Sequence, residues 1–107
     1  MKKYKLNEFK DGWIIGNFEP SILKTKGFEI AILNHYKNQK WPTHYHNEIT
    51  EYNLLLDGKM IINKIKINKN EIFVLEPKEV AEPVFLEDCK ILCIKVPSII
   101  GDKIEIK

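Results

Sequence analysis

The sequence predicts an all-β single domain, a sandwich or barrel of short strands. Three observations carry that expectation. Apolar or alternating runs recur about every eight to twelve residues between Gly, Pro, Asn and Asp turn signals. No window of twelve or more residues keeps the 3.6-residue apolar period of a helix. A chain of 107 residues is one domain's worth. At its mass a folded monomer exposes roughly 6,000 Å², against roughly 18,000 Å² for the unfolded chain, so one modest core is expected.

Pro20-Ser21-Ile22-Leu23 is expected to form at most a helical turn. Phe28-Glu29-Ile30-Ala31-Ile32-Leu33 is β-branched and apolar and reads as a strand. Leu54-Leu55-Leu56 and Met60-Ile61-Ile62 flank Asp57-Gly58, the strongest short-range hairpin signal. Asn63-Lys64 and Asn68-Lys69-Asn70 read as turns around the alternating Ile65-Lys66-Ile67. Glu71–Leu75 and Lys90–Val96 read as buried strands ended by Pro77 and Pro97, and Ile104-Glu105-Ile106 as a last short strand. Residues 1–107 form a single domain in this reading. Its barrel core spans about residues 28–96, and the terminal strands pack on it or on a partner subunit.

Composition narrows the function. All 17 basic residues are lysine, 15 residues are acidic, and the net charge is +2. Arginine supplies the planar fork for bidentate phosphate and guanine contacts. Its absence, with lysines scattered among acids, argues against a nucleic-acid partner. The longest apolar run is four residues, too short to span a membrane, and Met1–Glu8 lacks the apolar segment of a secretory signal. A cytoplasmic location is therefore expected. Cys89 and Cys93 share a strand face about 13 Å apart, too far for a disulfide, and are expected to be free thiols. Ser21 and Ser98 lack a nucleophile context, and no phosphate-binding glycine motif is present.

Two of the three histidines are His44 and His46. Residues i and i+2 of a strand share a face, so both imidazoles project together with Tyr45 opposite. A carboxylate arriving from Glu51 completes a 2-His-1-carboxylate set, which suits Fe(II), Mn(II), Ni(II) or Zn(II) and leaves positions open. Glu48 is the alternative carboxylate. Asn53 has the parity of Glu51 and shares its face. His35, beside Tyr36, lies on a preceding strand and could reach the barrel mouth as an acid or base. Trp41 joins Asn53 and Tyr36 as a pocket residue. Trp13 and Phe18 read as core aromatics.

The run His44-x-His46, four residues, Glu51, six residues, Gly58 resembles the first motif of the cupin superfamily, HxH(x)3–4E(x)6G, at every fixed position. The stretch from Asn70 to Glu82 resembles the second motif, G(x)5PxG(x)2H(x)3N, only at Pro77. Asn70, with six residues between it and Pro77 where the motif has five, and Glu79 stand for its two glycines, and Glu82 falls where the third histidine would be. The resemblance implies a cupin-type antiparallel jelly-roll barrel and a divalent metal ion (Fe, Mn, Ni or Zn) on His44, His46, Glu51 and Glu82. Glu82, Tyr36 and His35 are the implied proton-moving residues.

The resemblance also implies a small-molecule ligand, sugar-derived or an oxo or hydroxy acid, and a reaction such as isomerisation, epimerisation, dioxygenation or lyase chemistry. The alternative is a non-catalytic binding or sensing barrel with a partial metal site. Exposed edge strands favour pairing, and a homodimer is expected.

Overall fold

The computed structural model describes residues 1–106 and is all-β. Its strands are β1 (Trp13–Gly16), β2 (Leu23–Lys24), β3 (Glu29–His35), β4 (His44–His46), β5 (Thr50–Asp57) and β6 (Met60–Ile62). They continue with β7 (Ile65–Ile67), β8 (Ile72–Leu75), β9 (Pro83–Phe85), β10 (Cys89–Val96) and β11 (Lys103–Glu105). Two 3₁₀ turns, Leu6–Glu8 and Lys10–Gly12, precede them. Among the described residues, no helix is long and apolar enough to cross a membrane.

One six-stranded sheet, ordered β2-β1-β3-β10-β5-β8, forms the main wall. Two small sheets face it: β7-β6-β9 and β11-β4. The three-stranded sheet meets the main wall in an apolar core of Leu55, Met60, Ile62, Ile67, Leu75, Ala81, Phe85, Cys89 and Ile91. The two-stranded sheet brings polar side chains instead.

Antiparallel register sorts the inner face of the main wall into rows. Lys95 lies opposite Glu29 on one side and Glu51 on the other. Two residues along, Cys93 lies opposite Ala31 and Asn53; two further, Ile91 lies opposite Leu33 and Leu55. The interior thus runs from ionic through polar to apolar. The outer face carries Ile94 opposite Tyr52 and Leu92 opposite Leu54, continued on the edge strand by Val74 and Ile72. Tyr52, Val74 and Ile72 are exposed. The chain exposes 7137 Å² in all, above the roughly 6,000 Å² of a compact monomer this size, as a hollow barrel with an uncovered apolar face should.

Two turns differ from expectation, at Asp57-Gly58 and at Pro20–Leu23. Asp57-Gly58 does not close a hairpin, because β5 lies in the main wall and β6 in the three-stranded sheet. The chain turns a corner there, and the corner still demands glycine. Gly58 has φ +96°, and a Cβ there would collide with the Asp88 carbonyl oxygen. The hairpin is instead at Asn63-Lys64, where both residues have positive φ (49° and 67°) and Ile62 pairs with Ile65. That is the turn whose twist matches the flanking strands. Pro20–Leu23 forms no helical turn: Leu23 begins β2, which runs parallel to β1. The left-handed residues of the degraded second motif are Asn70 (φ 70°) and Lys78 (φ 68°), one residue before Glu79.

Candidate metal centre

The short strand β4 is held on both sides. Register with β11 places Lys103 opposite His46 and Glu105 opposite His44. On the other side His44 and Ala81 exchange backbone hydrogen bonds of 3.3 and 2.7 Å. Both histidines are buried while Tyr45, pointing the other way, is half-buried. The loop into β5 is fixed by buried Asp102, whose Oδ2 accepts from the backbone N–H of Glu48 (3.0 Å) and Ile49 (3.1 Å). That loop sets how far along β5 the chain reaches before Glu51 faces the histidines.

The geometry brings three predicted ligands together. His44, His46 and Glu51 each offer a ligand atom, all within 4.8 Å of one another. Among the described residues this is the one such group of three. His44 Nδ1–H donates to the Pro42 carbonyl at 2.9 Å, which leaves Nε2 with its lone pair. A metal-ligating histidine is usually oriented this way, its second nitrogen held by a carbonyl or carboxylate. His46 Nε2 donates to Glu51 Oε2 at 3.1 Å, and the Cys93 thiol donates to Glu51 Oε1 at 3.4 Å.

Burial governs the electrostatics. It would raise the Glu51 pKa, but the hydrogen bond from His46, the nearby Lys95 and His46 charges, and the Cys93 thiol outweigh it and hold the carboxyl down at about 2. Burial lowers the His44 pKa, with Lys103 adding to the effect, so its ring is neutral. Burial, then Glu51, pushes the Cys93 thiol well up, so that thiol stays protonated. An ionised carboxylate beside a neutral imidazole is the state a divalent cation requires. His46 Nδ1 is buried without a partner. Two imidazoles and one carboxylate are the donor set of an open 2-His-1-carboxylate centre, so these residues fit a divalent metal.

The set opens on a cavity of about 840 Å³ lined by His44, Glu51, Asn53, Trp41, His35 and apolar side chains including Met60, Phe73 and Phe85. Asn53 shares the face of Glu51, is 3% exposed, and has no partner for Nδ2. His35 is buried between Phe85, stacked at 4.3 Å, and Trp41, edge-on at 4.8 Å. Burial is the main cause that lowers its pKa.

The structure does not bring Glu82 or Tyr36 to the site. Glu82 is exposed, and its backbone N–H donates to Asn63 Oδ1 at 2.8 Å. The His44–Ala81 bridge turns Ala81 inward, so strand alternation turns Glu82 outward. The wall beside His44 therefore presents a methyl group where a further ligand was expected. Tyr36 is 73% exposed, and Glu48 is exposed as well. Trp13 is a cavity wall rather than a core residue. Cys89 and Cys93 are free thiols.

Two cavity residues escaped the motif reading. Lys95 and Lys103 are half-buried and line the same cavity. Lys95 Nζ lies 4.7 Å from the Trp13 ring centre, and Lys103 Nζ lies 4.4 Å from that of Trp41. Burial lowers the Lys103 pKa, and the neighbouring Lys95 charge adds to it. Lys95 had a signal: it shares the strand parity of Cys89, Ile91 and Cys93. Lys103 had none, because its place follows from pairing with β4.

No family model and no curated protein matches the chain. Solved structures do. A protein with a double-stranded β-helix domain from Klebsiella pneumoniae superposes with a TM-score of 0.70 at 14% identity, covering 97% of this chain and 90% of that one. An RmlC-like cupin from Desulfovibrio desulfuricans gives 0.59 at 20% identity, covering 70% and 76%. The bacterial pirin YhhW from Escherichia coli, solved in complex with nickel(II), gives 0.66 at 12% identity; the match covers 82% of this chain but only 39% of the pirin.

Proposed function

Given a chain with the cupin fold, we propose that this protein binds a divalent metal ion at His44, His46 and Glu51 and acts on a small polar molecule in the adjoining cavity. The observation that carries the reading is the convergence of three buried donors from two strands, two of which, His44 and Glu51, line the cavity. The nickel found in the pirin supports a metal on such a barrel, and Fe, Mn, Ni and Zn all suit the donor set.

A bound metal would supply Lewis acidity toward a carbonyl or carboxylate oxygen. The chain's own residues do the rest. Pro42 and Asp102 orient the ligands, Phe85 and Phe73 exclude water, and Asn53 offers a hydrogen bond. His35, neutral and held between two aromatic rings, is the one predicted proton-moving residue that lines the cavity. The ligand classes that fit are sugar-derived molecules and oxo or hydroxy acids.

One observation favours the second reading, a binding or sensing barrel without turnover. Glu82 and Tyr36 lie outside the cavity, which leaves little proton-transfer machinery beside the metal set. We further propose that the exposed apolar rows on the main sheet support pairing of two copies.

The deciding experiment is nickel or manganese titration of metal-stripped protein by calorimetry, with His44→Ala alongside. One ion per chain, lost in the variant, is the expected result. Sub-stoichiometric binding unchanged by His44→Ala would overturn the metal centre. Product formation from oxo and hydroxy acids in the loaded protein separates the enzyme from the sensor.

A further inference from the structure

We propose that Lys95 and Lys103, with Asn53, form an anion subsite that grips the carboxylate of a small organic acid in the main cavity. The proposal rests on reading that cavity as a ligand site, and it names the class of ligand.

The two ammonium groups arrive from different sheets. Lys95 stands on the inner face of β10, between Glu29 and Glu51 in register. Lys103 stands on β11, opposite His46. Each lies over one of the chain's two tryptophans, Trp13 and Trp41. An indole face holds an ammonium by its quadrupole and accepts no conventional hydrogen bond, so the N–H groups stay free. Among the described residues, neither lysine has a carboxylate oxygen within 4.0 Å.

Of the other polar groups here, Asn53 adds a donor, Glu51 and Glu29 already accept hydrogen bonds, and Asp11, the cavity's other carboxylate, is exposed and pairs with neither lysine. Asn53 Nδ2 is buried on the same wall with no acceptor. The Glu51 oxygens each already accept one hydrogen bond, from His46 and from Cys93. Glu29, on the far side of Lys95, accepts from Ser98 Oγ at 3.0 Å. What these donors lack is an acceptor within reach, and a negatively charged one answers both the free donors and the repulsion between two nearby ammonium groups.

The rest of the cavity decides between anions. Beyond the lysines the walls are apolar, with Met60, Ile62, Phe73, Phe85 and Ile91. A carboxylate carrying a short carbon skeleton fills both regions, whereas inorganic phosphate fills only the first. The chain also lacks arginine, the residue whose fork matches phosphate.

The test is thermal and calorimetric titration of metal-stripped protein with pyruvate and 2-oxobutyrate, with ethyl pyruvate and inorganic phosphate as comparison probes. The acids should raise the Tm and bind with an affinity that falls as salt is raised, and the ester should do neither. Lys103→Met should weaken acid binding by about tenfold or more, Lys103→Arg should restore part of it, and Lys95→Met should behave like Lys103→Met. If Lys95→Met does not fold, Lys103→Met on the edge strand decides.

Failure of the metal reading is distinguishable. His44→Ala should abolish nickel binding while leaving the metal-free acid titration intact, and both lysine variants should still bind nickel. Equal binding of ester and acid, or wild-type affinity in Lys103→Met, would overturn the subsite. Phosphate binding as tightly as the 2-oxo acids would overturn its assignment to carboxylates.

Discussion

Two small sheets face the same large one, and they do opposite things with it. The three-stranded sheet sets Met60, Ile62, Ile67 and Phe85 against Leu55 and Ile91 and closes a dry core. The two-stranded sheet sets His44, His46 and Lys103 against Glu51 and Lys95 and leaves the main cavity between them. Strand alternation is the same in both places. The difference is that one end of each long strand is apolar and the other ionic. Burial of apolar area holds the first end together. The second costs desolvation of charged groups, which an ion and an anionic ligand would offset. The apolar core and the candidate site thus occupy different ends of β5 and β10.

The largest effect that should divide the two ends is Leu55→Ala. Leu55 is fully buried, so its truncation should cost about 3 kcal/mol in urea unfolding while metal affinity in the folded fraction stays unchanged. A loss of metal binding at full stability would break the division.

Glu51→Gln should do the reverse. Nickel affinity should fall at least about a hundredfold, read by calorimetry, with the native circular dichroism spectrum kept.

Acid should act through the ionic end. The Glu51 carboxyl is held at about 2, below its ordinary 4.5. Its contribution to stability is therefore full above pH 4.5 and lost as the pH falls toward 2. His44 and His35 also titrate below their ordinary 6.5. The unfolded chain binds those protons first, so stability should begin to fall as the pH drops through 6.5. In Glu51→Gln the loss between pH 4.5 and 2 should shrink, as urea midpoints against pH would show.

The smallest effect concerns the outside of the main wall. Tyr52→Lys should change monomer stability by less than about 0.5 kcal/mol yet shift sedimentation toward the monomer. Unchanged sedimentation of a dimer would place the contact elsewhere.

How far the sequence could be read follows from the same alternation. The i, i+2 rule is local, so His44, His46, Glu51 and Asn53 were legible before any pairing was known. Glu82 was misplaced because the residue that turns inward there is set by the bridge between Ala81 and His44, a contact between distant strands. Asp57-Gly58 misled for a related reason. A corner between sheets and a hairpin both need positive φ, and the sequence signal is shared. Asn63-Lys64, the weaker signal, closes the hairpin. Lys103 could not be found at all by local rules.

That last residue sits on a strand with unusual leverage. β11 has three residues and pairs only with β4 among the described strands, so it should open more readily than β10, which is paired along its length on both sides. An anion gripped by Lys103 would bind the docked strand better than the detached one. Linkage then works in both directions: occupancy slows amide exchange in β11, and anything that frays β11 weakens occupancy by the same factor.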